Sequence, residues 1–127
     1  MKLLNIVSSG YRATLEEQDD TVVWITHCLR NAGADVDLLL QDAAVNYPVR
    51  DQSVKPIAIG GRGQSHAPDV HGQISDFVGN GSSSVYVVEE DLVDRGIDPR
   101  RLLQEVEVVA RGELPKLLSR YHQVWHW

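Results

Sequence analysis

Three short groups of residues in this chain combine hydroxyls, glycines and acids in ways that could serve a ligand. Ser8-Ser9-Gly10 closes the apolar run that starts at Lys2 (KLLNIVS), Asp42 follows DVDLLLQ at residues 35 to 41, and Glu89-Glu90-Asp91 follows SVYVV at residues 84 to 88. If those runs are strands of one parallel sheet, all three groups lie at its carboxyl edge, where open α/β sheets place their ligands. The backbone amides of Ser9 and Gly10, with the start of the next helix, could cradle an anion. A plain turn is the simpler reading of the same residues, because no GxGxxG or Walker pattern accompanies them. Gly60-Gly61-Arg62-Gly63-Gln64-Ser65-His66 is a second anion-friendly stretch, or merely a mobile loop. Paired acids such as Asp42 and Glu89 to Asp91 could exchange protons with a substrate. For Glu90 and Asp91 the preferred reading is capping, since acids at a helix start meet its dipole. The candidate ligand-binding residues are Ser9, Gly10, Asp42, Gly60 and Gly61.

The histidines are His27, His66, His71, His122 and His126, and none has a Cys or acid partner at the spacing a zinc site needs. No metal and no cofactor is expected. His122 and His126 flank the last strand, where an amide or a water would satisfy them. The single cysteine, Cys28, excludes an internal disulfide and fits a reducing, cytoplasmic compartment. On a helix it stands beside the apolar stripe with Trp24, Ile25 and Ala32, and a free cysteine usually serves as a small packed hydrophobe. Trp125 and Trp127 alternate with His126 near Tyr121. Core packing is the first explanation of that aromatic area, and a subunit contact the second.

The elements that must position these groups follow from the hydrophobic period. A chain of 127 residues, 43% apolar and 24% charged, has the make-up of one ordinary globular domain spanning residues 1–127. The net charge of −6, with acids in excess in both halves, argues against nucleic acid as a partner. No apolar stretch approaches the roughly 20 residues that cross a bilayer, and Leu3 to Val7 reads as a strand rather than a signal-peptide core. Val22, Ile25, Leu29 and Ala32 recur at helical steps after the acids Glu16 to Asp20, and Asn31 and Gly33 stop that helix. Strands are expected at residues 2–8, 35–41, 84–88, 107–110 and 123–127. Further helices are expected over 68–78, 89–93, from Asp98-Pro99, and over 113–121. Residues 43–67, broken by Pro48, Pro56 and the glycine run, read mostly as loop, with a short strand within Val54 to Ile59. The alternation predicts a three-layer α/β/α sandwich around a mostly parallel five-stranded sheet.

Three segments carry a likeness to a known family. KLLNIVSSG with the acidic loop and helix after it, DLLLQDAAVNY at residues 37–47, and VYVVEEDLVDRGI at residues 85–97 resemble the βα units of the DsrE/DsrF/DsrH-like superfamily, which includes the TusB, TusC and TusD sulfur-relay subunits. The EEDLVDRG wording is nearest the DsrH/TusB branch, and the closing QVWHW suits the family's last strand. The resemblance implies a part in intracellular sulfur relay, a homo-oligomer or a hetero-oligomer with related subunits, and a sulfur-carrier protein as partner. It also implies a persulfide-carrying cysteine, because a thiolate is both nucleophile and sulfur acceptor. In the DsrE and TusD branches that cysteine lies at the end of the third strand, eight residues before the glycine of an Arg-Gly pair; here Val88 holds the position. DsrH-type proteins have a cysteine in or near the first helix, which makes Cys28 the candidate catalytic residue. A subunit without the strand-end cysteine would act through assembly or binding. The alternatives are a small-molecule or anion-binding module at the sheet edge and a non-catalytic oligomerisation protein.

Overall fold

The computed structural model describes residues 1–11 and 20–127. In chain order the elements are β1 (Lys2–Val7), α1 (Thr21–Asn31), β2 (Asp35–Leu40), β3 (Ala58–Ile59), β4 (Arg62–Gly63), α2 (Val70–Val78), β5 (Val85–Val88), α3 (Glu89–Asp94), β6 (Glu107–Val109), α4 (Leu114–Leu118) and β7 (Gln123–His126). Short 3-10 turns occupy Asp42–Asn46, Pro99–Arg101 and Arg111–Glu113. No helix among the described residues is long and apolar enough to cross a membrane.

Five parallel strands make the main sheet in the order β6-β5-β2-β1-β7, and β3 and β4 form a separate antiparallel hairpin. From β1 to β2, β5 and β6 each crossover steps one strand in the same direction. Right-handed crossovers therefore put α1, α2 and α3 on one face. The last crossover turns back past β1, so α4 must lie on the other face. Side-chain parity confirms this division. Leu3, Val7, Val36, Leu38, Leu40, Val85 and Val87 pack with Val23, Ile74, Phe77 and Leu92 from the three helices. Leu4, Ile6, Leu39, Tyr86 and Val88 pack with Leu117. The central strand β2 is covered on both faces, which is why Leu38 to Leu40 do not alternate with polar residues.

The helix ends obey local chemistry. Asp20 caps α1, its Oδ1 accepting the amides of Val22 at 3.0 Å and Val23 at 2.9 Å, and Gly33 takes a φ of +94° just past the end, where a side chain would be strained. The expected dipole partners at Glu16 to Asp19 fall outside the described residues. Asp98 caps with Pro99 behind it as expected, but a single 3-10 turn results, because Leu102 is already extended and buried. The last helix is shorter than residues 113–121. It opens with a 3-10 turn and ends at Leu118, after which Tyr121 crosses to Asp37, its hydroxyl donating to Oδ2 at 2.5 Å. Lys2 also reaches that buried carboxylate at 3.2 Å, and the Ser84 amide donates to it at 2.7 Å.

Two expectations need correction. Trp125 and Trp127 do not enter the core: they remain 40% and 54% exposed and pack edge to face on each other at 6.5 Å. The reason is topological, since β7 is an edge strand. Glu90 and Asp91 do not cap α3, whose N-cap is Val88 with no side-chain bond. Asp91 is instead buried, accepting the Asp42 amide at 2.8 Å and the Arg111 guanidinium at 2.6 Å, while Glu90 accepts the Arg111 amide at 2.7 Å.

Candidate functional site

At the carboxyl edge of β1 and β2 the loops leave a cleft of about 280 Å³. Gly10 and Tyr11 enter it from the end of β1; Ala43, Asn46 and Tyr47 come from the turn after β2; Gln52 and Val54 from the long loop; and Pro68, Asp69, Val70 and His71 from the start of α2. Each wall has a local cause. Tyr47 is held by its hydroxyl, which donates to the Ser9 carbonyl at 3.1 Å and to Asp20 Oδ2 at 2.6 Å. Burial first, and then the Asp20 carboxylate, push the Tyr47 phenol well above its usual value. Gln52 clamps the preceding turn through one amide nitrogen that donates to the carbonyls of Asn46, Tyr47 and Val49. A Cβ on Gly10 would meet Ala43 Cβ at 3.4 Å, so the small residue lets the two strand ends close together.

The starts of α1 and α2 both face this region, and both are already neutralised. Asp20 occupies the first amides of α1, and Asp69 Oδ1 accepts the Gly72 amide at 2.9 Å. The Asp20 amide itself donates to Gln73, tying the two helix starts together. An anion cradle built on Ser9, Gly10 and the first turn of α1 is therefore filled by the protein's own carboxylate. Cleft walls of Tyr11, Tyr47, Val54, Pro68 and Val70 suit an apolar body, with a few polar groups to orient it.

Of the residues singled out by sequence, Gly10 lines the cleft and Ser9 supports it through its carbonyl. Asp42 stands beside it in a left-handed conformation, φ 49°, its amide fixed by Asp91. Gly60 and Gly61 lie elsewhere: with φ of 55° and 77° they are the two-residue turn of the β3–β4 hairpin, the geometry for which Gly-Gly is selected. Cys28 is half-buried in the last turn of α1, about 12 Å along the helix from its cap at 1.5 Å per residue, away from the cleft. Val88 is 0% exposed at the end of β5. Sequence reasoning missed Tyr11, Asn46, Tyr47, Gln52, Val54 and Asp69. The one local signal among them is Asp69 before the apolar period of Val70, Ile74 and Phe77, which marks a cap.

A smaller polar group sits on the second face where β1 meets β7. Ser8 Oγ and His126 Nε2 share a hydrogen bond of 2.6 Å, and Gln41 donates to Ser8 Oγ at 2.9 Å. His122 accepts the Lys2 amide on Nδ1 at 2.9 Å. Both terminal histidines are thus satisfied by the protein, one by an amide as expected and the other by a hydroxyl. Among the described residues no three or more His, Cys, Asp or Glu side chains group as a metal site would need.

No family model matches the chain, and no curated protein matches it. Solved structures do. The ychN protein from E. coli superposes with a TM-score of 0.70 at 19% identity, over 100% of each chain. A protein of unknown function from Methanobacterium thermoautotrophicum, MTH1491, superposes at 0.60 and 18% identity, over 97% of this chain and 96% of its own. Likeness at such low identity speaks for architecture alone, an α/β sandwich around a parallel five-stranded sheet.

Proposed function

We propose that the chain is a DsrE-like binding subunit related to sulfur relay, nearest the DsrH/TusB branch in its EEDLVDRG segment. In this reading it holds a small molecule in the carboxyl-edge cleft and carries no sulfur on its strand end. The observation that carries the proposal is the contrast between an open, largely apolar cleft at the ends of β1 and β2 and a sealed Val88 at the end of β5. A cytoplasmic setting, assembly with copies of itself or related subunits, and a sulfur-carrier protein as partner belong to the same proposal. The exposed Trp125 and Trp127 on an edge strand favour assembly, because aromatic area is costly to leave in water.

The test is amide chemical-shift mapping with a small neutral aromatic, 2-phenylethanol. Saturable shifts centred on Gly10, Asn46, Val54 and Val70 are expected; saturation elsewhere, or none at all, overturns the reading.

Cys28 as a sulfur carrier is the second reading, favoured by its partial exposure. Intact mass after polysulfide treatment, with Cys28→Ser as control, separates the two. A reductant-sensitive gain of one sulfur that needs Cys28 establishes a carrier; no gain on the folded protein leaves binding.

A further inference from the structure

We infer that the cleft selects a small organic cation: an amine joined to an aromatic or similarly apolar body. The inference rests on the cleft being a binding site and names the chemistry of its ligand. Among the described lining residues Asp69 is the one acidic side chain, His71 stands beside it, and neither Lys nor Arg contributes. The Asp69 side chain is 75% exposed; its Oδ1 accepts the Gly72 amide at 2.9 Å and lies 4.0 Å from His71 Nδ1. Its second oxygen lies over Gly72 and has no hydrogen-bond partner among the described residues.

The neutral polar groups point the same way. Gln52 spends its amide nitrogen on three backbone carbonyls, and Asn46 spends its own on the Ala43 carbonyl at 3.0 Å. Gln52 then has only its acceptor oxygen left for a ligand, while Asn46 keeps its oxygen and one N–H. Tyr11 and Tyr47 add aromatic faces, whose negative quadrupole attracts an ammonium. An anion would meet the opposite field. The helix-start amides that could have attracted it are occupied by Asp20 and Asp69, each of which adds a negative charge at that spot. The net charge of −6 works in the same direction at long range.

Three ligands of one shape test this: 2-phenylethylamine, 2-phenylethanol and 3-phenylpropionate, titrated against the whole folded chain at neutral pH and low salt and followed by amide shifts. The amine is expected to bind about tenfold tighter than the alcohol, equivalent to about 1.4 kcal/mol, and the carboxylate weakest of the three. Asp69→Asn keeps a side chain able to cap α2 and removes only the charge. That variant should bring the amine down to the level of the alcohol, and added salt should narrow the gap in the unaltered protein. Equal affinities for amine and alcohol, or a preference for the carboxylate, overturn the cation while shifts at Gly10 and Val70 still show an occupied cleft. Shifts with none of the three overturn the cation and the binding reading together.

Discussion

Two places on the same edge of this sheet, the end of β5 and the ends of β1 and β2, have been put to opposite uses. At the end of β5, Val88 is sealed in the cluster around Leu117, and three residues further on Asp91 joins the Asp42 amide to Arg111. At the ends of β1 and β2 the loops instead stand apart around a cleft, braced by Tyr47 and Gln52 from behind. The difference is one of bonding partners. A buried carboxylate between two segments fastens them together, whereas capped helix starts and clamped turns keep a wall rigid without filling the space before it. One order of strands can therefore close the edge at one place and open it at another.

Four experiments would break or sharpen this contrast. The largest effect is expected from Asp91→Ala, which removes two charge-assisted hydrogen bonds at the β5 end and should cost about 3 kcal/mol, roughly a hundredfold in the folding equilibrium, by urea denaturation. A loss below about 0.5 kcal/mol would show that this end is not fastened as described. Next, Val54→Trp should fill the cleft, weakening 2-phenylethanol about tenfold or more in a shift titration while leaving the urea midpoint nearly unchanged.

A smaller effect concerns alkali. Folding holds the phenols of Tyr47 and Tyr121 above their unfolded value, burial being the larger cause and the Asp20 and Asp37 carboxylates the next. Above about pH 10 the unfolded chain loses protons that the folded one keeps. Stability is then level up to that pH and falls as pH rises beyond it. Tyr47→Phe should lessen the fall and cost about 1 kcal/mol at neutral pH, read from urea curves at a series of pH values. The smallest effect belongs to Val88→Cys in a Cys28→Ser background. The swap should change stability by less than about 1 kcal/mol, and the buried thiol should resist polysulfide until the protein is unfolded. Sulfur loading of that native variant would reopen the β5 end.

Much of the fold is legible from period and punctuation. All five long strands and the first two main helices stand where their apolar spacing places them, because a buried strand or an amphipathic helix is specified by residues adjacent in sequence. The cleft is a different kind of object. Its walls come from Gly10–Tyr11, Ala43–Tyr47, Gln52–Val54 and Pro68–His71, and no local pattern states that these four segments meet. The role of Asp91 was hidden for the same reason. An acid in the first turn of a helix reads as a cap, and only the approach of the Asp42 and Arg111 segments turns it into a buried joint. Gly60-Gly61 was ambiguous in yet another way, since flexibility and a tight turn call for the same residue.

The seam between β1 and β7 has a consequence for how the molecule comes to be made. The Lys2 amide finds its partner on His122, 120 positions later, whereas β1 and β2 meet after a single helix. Contacts so distant along the chain are slow to form, since a long loop must close before they repay its ordering. The helices that follow β1, β2 and β5 can dock as the ribosome delivers them, but the outer edge of β1 must wait for the last strand. During that interval Leu4 and Ile6 lack their α4 cover, and an open, apolar strand edge is a template for any other nascent chain.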